Sequence, residues 1–181
     1  MAHYKPVKKT TFLEAVAACI EHEKKVFEFY MRNAESLPKG PIQSLFYQLA
    51  EDQDEHIKMI ADLYTDVNHG QALPNLKMAS QIEKFNSTSL QIMMRRLDRI
   101  TDRDADGIEV DALGLATKQH EDTAEFYTKM SERFDNPEIR YLFRQLANFQ
   151  DECRLLLESF SAYSSQGTPA SQPSGYWDLD P

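Results

Sequence analysis

The chain has 181 residues and a net charge of −9, with 41% hydrophobic and 27% charged residues. This length corresponds to one domain with a substantial core. The acidic balance disfavours binding to nucleic acid or to an anionic membrane, and no stretch is long and apolar enough to span a bilayer. Cys19 and Cys153 fall within predicted helices and indicate no disulfide framework, so we expect a reducing, cytoplasmic location.

Apolar residues recur at helical spacing in four long stretches and one shorter stretch. The predicted helices are, in chain order, 11–37, 42–65, 87–103, 108–134 and 138–163. Thr11 and Glu14 have the spacing of a capping box at the start of the first helix. Residues 1–10 are predicted to be a flexible basic arm that precedes one domain, 11–163.

The last segment, 164–181, is rich in Ser, Gln, Pro and Gly, and we predict a disordered tail. It contains Gly-Tyr-Trp-Asp-Leu-Asp, in which Trp177 is the only tryptophan of the chain. One interpretation is that this acidic aromatic segment docks on its own domain or on a protein partner. The other is a disordered end with an incidental tryptophan.

The chain repeats itself at a constant offset of 97 residues. Position 23 matches 120, 30 matches 127, 45 matches 142 and 56 matches 153. Between these positions Leu-Phe-x-Gln-Leu-Ala-x-x-Gln-Asp-Glu occurs twice, followed by His56 in the first copy and Cys153 in the second. The gapless offset predicts a duplicated helical hairpin, about 11–65 and 108–163, with a long crossover that contains the short helix 87–103.

The pattern E-x-x-x-x-x-F-Y, then L-F-x-x-L-A-x-x-E-x-x-H, resembles the rubrerythrin-related branch of the ferritin-like superfamily. The resemblance covers about residues 12–162. It implies an all-α, ferritin-like four-helix bundle, a homodimer, and a di-iron centre that serves an oxidoreductase or peroxidase. In that family each hairpin supplies one Glu from its first helix and an E-x-x-H pair from its second.

The ligand positions that the resemblance implies are Glu23, Gln53, His56, His120, Gln150 and Cys153. Only Glu23 and His56 match the residue types of the family. The bridging carboxylates of both E-x-x-H pairs are replaced by Gln, and a neutral amide neither bridges nor offsets the charge of two iron ions. We therefore expect no conventional di-iron centre, and the missing ligands argue against the family's enzymatic activity.

Two interpretations of these positions stay open. In the first, the core is polar and holds no cofactor: Gln53 and Gln150 hydrogen-bond to each other, and Glu23 pairs with His56 or His120. The protein is then a non-catalytic relative that acts through its surface, its tail or self-association. Tyr30 and Tyr127 are assigned to aromatic core packing.

In the second interpretation, the protein keeps a metal-binding or redox role through a mononuclear site. One Zn or Fe ion is held there by four side chains, which are Glu23, His56, His120 and Cys153. A carboxylate, two imidazoles and a thiolate form an acceptable tetrahedral set for zinc.

Two charged segments lie outside these positions. Arg95, Arg96, Arg99 and Arg103 give the short helix a positive side, which is interpreted either as a solvated face paired with Asp98, Asp102 and their neighbours or as a partner-binding patch. Asp102-x-Asp104-x-Asp106-Gly107 has the opening of a calcium loop, but Leu113 stands where an EF-hand requires Glu. The alternative is an acidic loop that caps the next helix.

Overall fold

The computed structural model describes residues 10–70 and 88–165, which contain five α-helices and no strand. These are α1 (Phe12–Ser36), α2 (Pro41–Val67), α3 (Thr88–Thr101), α4 (Glu109–Glu132) and α5 (Pro137–Ser165). The predicted all-α fold is confirmed, and helix bounds differ from the predicted ones by at most two residues. Apart from their innermost residues, the predicted basic arm and disordered tail lie outside the described residues.

Local sequence signals set the helix starts. The backbone N–H of Glu14 donates to Thr11 Oγ1 at 3.1 Å, and that of Thr11 donates to Glu14 Oε2 at 3.3 Å. This confirms the predicted capping box, which satisfies two backbone donors that the helix itself leaves unpaired. Pro41 is the first residue of α2, a position whose N–H has no partner within a helix.

The four long helices bury two apolar clusters, one near each end of the bundle. Helix α1 packs against α2, α4 packs against α5, and α3 lies across α1 and α4. One cluster surrounds Tyr127 and Phe143, and the other surrounds Phe29 and Phe46. On each long helix, the positions implied by the family resemblance fall between these two clusters. The candidate site is therefore a polar layer inside an apolar bundle.

Helix α3 is fastened to α1 through charged side chains. Lys25 Nζ donates to Asp98 Oδ1 at 2.8 Å, and Arg32 Nη2 donates to the Thr101 carbonyl at 2.7 Å. The expectation that Asp98 pairs with the arginines of its own helix is wrong, because this carboxylate turns inward to Lys25. Arg96 pairs instead with Glu125 of α4 at 2.9 Å.

The acidic loop after α3 is held by α1. Asp104 accepts a hydrogen bond from Arg32, and Asn33 Oδ1 accepts one from the Ala105 backbone at 2.9 Å. Gly107 has φ = 78°, and a Cβ there would lie 2.7 Å from the Ser36 carbonyl oxygen, so glycine is required. Helix α4 begins without a side-chain cap. None of these aspartates therefore caps it through a side-chain hydrogen bond, and a favourable effect of their charge at the start of α4 stays a prediction.

Candidate functional site

The six family-derived positions are contributed by all four long helices. Glu23 comes from α1, Gln53 and His56 from α2, His120 from α4, and Gln150 and Cys153 from α5. All except Cys153 are at most 5% exposed. Because residues three apart share a helix face, α2 and α5 each direct two of these side chains toward the bundle interior. Polar groups buried to this degree need partners, so their contacts identify what the site holds.

The six positions form a pocket in two halves, and Glu23 is the centre of the first half, with Gln53 and His56. Tyr127 Oη donates a hydrogen bond to Glu23 Oε1, and His56 Nδ1 lies 3.3 Å from Glu23 Oε2. The distance from His56 to Glu23 is that of an ion pair, but the two groups are not oriented for a hydrogen bond. Both ring nitrogens of His56 therefore have no hydrogen-bond partner among the described residues. The first half therefore has unused ligand-type atoms.

The pKa of the Glu23 carboxyl is the outcome of opposing effects. Burial acts to raise the pKa, but the contacts with His56, His22 and Tyr127 outweigh it and lower the pKa below the ordinary value. Glu23 is thus a carboxylate at neutral pH, and it is held in that form by neighbours rather than by solvent.

His120 is the centre of the second half, and its ring is hydrogen-bonded on both sides. Nδ1 lies 2.5 Å from Gln150 Oε1, and Nε2 lies 2.6 Å from Tyr30 Oη. Because the amide oxygen only accepts, His120 Nδ1 carries the proton, and Nε2 accepts from the tyrosine hydroxyl. Both nitrogens of a neutral imidazole are therefore satisfied without any ion.

Burial keeps His120 neutral. It lowers the pKa of the imidazole to about 4, despite the opposing effects of Gln150 and Glu23. Cys153, at the outer edge of this half, is partly exposed. Burial and the nearby carboxylates of Asp52 and Glu23 raise the pKa of its thiol to about 11, so the protonated thiol predominates at neutral pH.

The predicted hydrogen bond between Gln53 and Gln150 is not formed. Gln150 binds His120, whereas Gln53 Oε1 has no partner among the described residues although Gln53 is only 3% exposed. The amide oxygen of Gln150 is instead occupied by the His120 ring, at 2.5 Å. Of the two predicted pairings of Glu23, the structure contains the one with His56.

The hydroxyl groups of Tyr30 and Tyr127 are functional atoms that the sequence interpretation missed. Their rings do pack in the core, since Tyr30 lies 5.4 Å from Phe46 and Tyr127 lies 6.4 Å from Phe143 between ring centroids. Each hydroxyl also reaches the other hairpin, from Tyr30 to His120 and from Tyr127 to Glu23. Each tyrosine stands seven residues after a ligand position, two turns along the same helix face, and this spacing was the available signal.

A second buried polar group, also missed, joins α1 and α4 beside the pocket. His22 Nε2 lies 2.7 Å from Thr123 Oγ1, and Gln119 Nε2 donates to the same hydroxyl at 2.9 Å. Burial lowers the pKa of His22, against the opposing effect of Glu23. Residues 22 and 119 are again 97 apart. The repeat therefore relates these two positions, but neither residue type belongs to the family's ligand pattern.

The rubrerythrin family model matches residues 14–152, well over half of the chain. The chain belongs to the rubrerythrin family. No curated protein and no solved structure matches it. The match spans all four long helices and every candidate ligand except Cys153, so the rubrerythrin assignment applies to the polar layer itself.

The residues present do not fit the di-iron centre that the rubrerythrin resemblance implies. Positions 53 and 150 carry neutral amides, and the one imidazole of the second half already uses both nitrogens. Two iron ions require several carboxylates to offset their charge, and Glu23 is the only one at the six positions. Within residues 10–70 and 88–165, no three His, Cys, Asp or Glu side chains are grouped as a metal site requires. None of the described helices has the length and hydrophobicity of a membrane span.

Proposed function

We propose that this rubrerythrin-family protein is a duplicated-hairpin, ferritin-like bundle in which a hydrogen-bonded polar core replaces the di-iron centre. It performs no di-iron oxidase or peroxidase chemistry and acts through its surface. Its two free thiols, Cys19 and Cys153, support a reducing compartment such as the cytoplasm.

The observation that carries the proposal is the series of hydrogen bonds from Tyr30 through His120 to Gln150. Every polar atom of the His120 ring has a partner at 2.5–2.6 Å, and the ring is fully buried. A ligand histidine kept for an absent ion would leave one nitrogen without a partner, at a cost of roughly 1–3 kcal/mol. His120 has no such nitrogen.

Metal analysis of protein purified without chelators tests the proposal. We expect no iron per chain, and a thermal unfolding midpoint that does not change when chelator is added. Anaerobic loading with Fe²⁺ followed by peroxide gives the activity readout. Two bound irons together with peroxide consumption would overturn the proposal.

A single-cation site is the second candidate function, and the first half of the pocket favours it. Two atoms that bind the same ion at about 2.1 Å lie about 3.0–3.5 Å apart. His56 Nδ1 and Glu23 Oε2 are 3.3 Å apart without forming a hydrogen bond, and Gln53 Oε1 is buried without a partner. These three atoms form a smaller ligand set than the predicted one. The predicted set, Glu23, His56, His120 and Cys153, stays a prediction.

Titration with Zn²⁺ or Co²⁺ separates the two ligand sets. The smaller set predicts binding that is lost in His56→Ala and kept in the matched variant His120→Ala. The four-ligand set predicts loss in both variants and in Cys153→Ala. Absence of binding in the folded wild-type protein would eliminate both sets.

We also propose that the protein forms a homodimer through α5. Tyr141, Leu155 and Leu156 are 65%, 54% and 49% exposed and lie within one side of this helix. Light scattering of Leu155→Glu/Leu156→Glu is expected to give a monomer. The matched variant Ile108→Glu/Val110→Glu changes equally exposed apolar residues elsewhere and should leave the dimer intact. A monomeric wild-type protein would refute the proposal.

A further inference from the structure

The outer side of α3 carries arginines that no described residue neutralises. Arg95, Arg99 and Arg103 are exposed and form no ion pair within the described residues. Ile92 is 62% exposed and lies on the same side of α3 as Arg95 and Arg99, since these positions are three and four residues apart, and Arg103 follows two residues after the end of α3. We call Ile92, Arg95, Arg99 and Arg103 the basic face.

Of the four acids nearest in sequence, Asp98 and Asp104 are used elsewhere, whereas Asp102 and Asp106 are exposed and form no ion pair within the described residues. Asp98 pairs with Lys25 at 2.8 Å, and Asp104 pairs with Arg32. Like charges four residues apart on a helix repel each other by a few tenths of a kcal/mol. The basic face therefore keeps an excess of positive charge, three arginines against two unpaired aspartates, on a chain whose net charge is −9.

We propose that the basic face binds residues 176–180 of the same chain, Tyr-Trp-Asp-Leu-Asp. The carboxylates of Asp178 and Asp180 offer acceptors that match the forked donors of arginine. The indole ring of Trp177 offers a face for a guanidinium group. The exposed Ile92 gives this segment an apolar contact, so the two partners agree in charge and in apolar character.

The chain is long enough for this contact. The ends of α1 and α3 lie together, because Arg32 donates to the Thr101 carbonyl, and Ala162 of α5 lies level with Gly114 of α4 in one surface groove. Helix α4 contacts both α3 and α5, so a path from α5 to α3 across this one helix is roughly 20 Å at typical helix spacing. The ten residues 166–175 span up to roughly 33–36 Å.

A second exposed arginine pair provides a rival site and a matched control. Arg140 and Arg144 lie on α5 with the same spacing of four residues, and both are exposed. Arg144 is 21 residues before Ser165, which is about 32 Å along the helix. The linker would have to be almost fully extended to reach it, so the basic face of α3 is favoured.

Fluorescence of Trp177 in the full-length chain tests the proposal, since this is the only tryptophan. At low salt we expect an emission maximum at shorter wavelength, and acrylamide quenching several-fold weaker, than for the chain unfolded in urea. Arg95→Glu/Arg99→Glu should restore the quenching of an exposed indole, as should Asp178→Asn/Asp180→Asn. Arg140→Glu/Arg144→Glu should not, and circular dichroism checks that every variant is folded.

The protection of Trp177 from quenching must also weaken at high salt, and it must be independent of protein concentration. Three results would overturn the proposal: a wild-type Trp177 quenched as strongly as in urea, loss of protection only in Arg140→Glu/Arg144→Glu, or protection that depends on concentration. The last result would mean that the segment binds a second copy of the chain.

Discussion

Glu23 and His120 occupy matching positions 97 residues apart, yet the two halves of the pocket around them differ in how fully their polar atoms are paired. The half around His120 is closed, because Tyr30 and Gln150 occupy both ring nitrogens. The half around Glu23 is open, because both ring nitrogens of His56 lack a hydrogen-bond partner within the described part of the chain. The same position of the repeat can thus serve a neutral network or a buried carboxylate, according to one residue.

The comparison also shows that two equally buried groups can differ in charge. Both centres are almost completely buried, at 1% and 0% exposure. Glu23 stays ionised because its neighbours favour the carboxylate, whereas His120 stays neutral because burial lowers the pKa of its imidazole more than Gln150 and Glu23 raise it. The closed half has no ring nitrogen left for a metal ion, whereas the open half has atoms available for one.

The largest expected effect comes from restoring the family's ligands in both halves. Gln53→Glu, His120→Glu, Gln150→Glu and Cys153→His together should raise the iron content from none to two ions per chain after anaerobic loading. The added carboxylates supply the charge that two irons require. Iron is counted by elemental analysis of the folded, desalted protein.

The matched control is Gln48→Glu/Gln145→Glu, which adds charge at exposed positions that are also 97 residues apart. It should bind no iron. A folded quadruple variant that still excludes iron would show that residues around the ligands have diverged as well, since the second shell orients the first.

The next effect is a pH dependence that belongs to the closed half. The pKa of His120 is about 4 in the folded protein and about 6.5 in an unfolded chain. The unfolded state therefore binds more protons between these values, so the free energy of unfolding is highest above pH 6.5 and falls as pH drops. The loss by pH 4 is about 3 kcal/mol for this group.

Urea unfolding between pH 7 and 4.5 measures this slope. His120→Gln should reduce it to the contribution of His22, whose pKa is also lowered, whereas His69→Gln, at an exposed position, should leave it unchanged. The lowered pKa of Glu23 adds a further loss as pH falls through the range of an ordinary glutamate. An unchanged slope in His120→Gln would mean that His120 is charged in the folded protein.

Sequence alone predicted the features that depend on local or periodic order. The capping box depends on Thr11 and Glu14, three residues apart, and it is present. The burial of Glu23, Gln53, His56, His120 and Gln150 follows from helical spacing, because each lies on the apolar side of its helix. The family match to residues 14–152 likewise reflects a pattern within the helices.

Contacts between distant segments could not be predicted in this way. Asp98 was expected to pair within α3, but it binds Lys25, 73 residues away, because α3 docks on α1 at a depth that no local pattern encodes. The hydrogen bond expected between Gln53 and Gln150 is absent for the same reason, since ångström-scale spacing between helices decides which donor the amide oxygen of Gln150 meets. Periodicity in the sequence predicts the helix face on which a side chain lies, but it does not predict which residue that side chain contacts.

The smallest effect compares the two tyrosine hydroxyls that cross between the halves. Tyr127→Phe removes a donor from the buried carboxylate of Glu23, and Tyr30→Phe removes a donor from the neutral ring of His120. Because a hydrogen bond to a charged group contributes more than one between neutral groups, we expect losses in unfolding free energy of about 2 kcal/mol and about 1 kcal/mol. Urea unfolding at pH 7 measures both.

The difference between the two tyrosine variants matters more than either value. Both hydroxyls are fully buried, and both rings remain when the hydroxyl is removed, so packing cancels in the comparison. Equal losses would mean that Glu23 is protonated in the folded protein or that its charge is neutralised by another group. A bound cation would also reduce the loss in Tyr127→Phe, and repeating the pair of measurements in chelator separates these cases. Only an occupied first half would respond to the chelator.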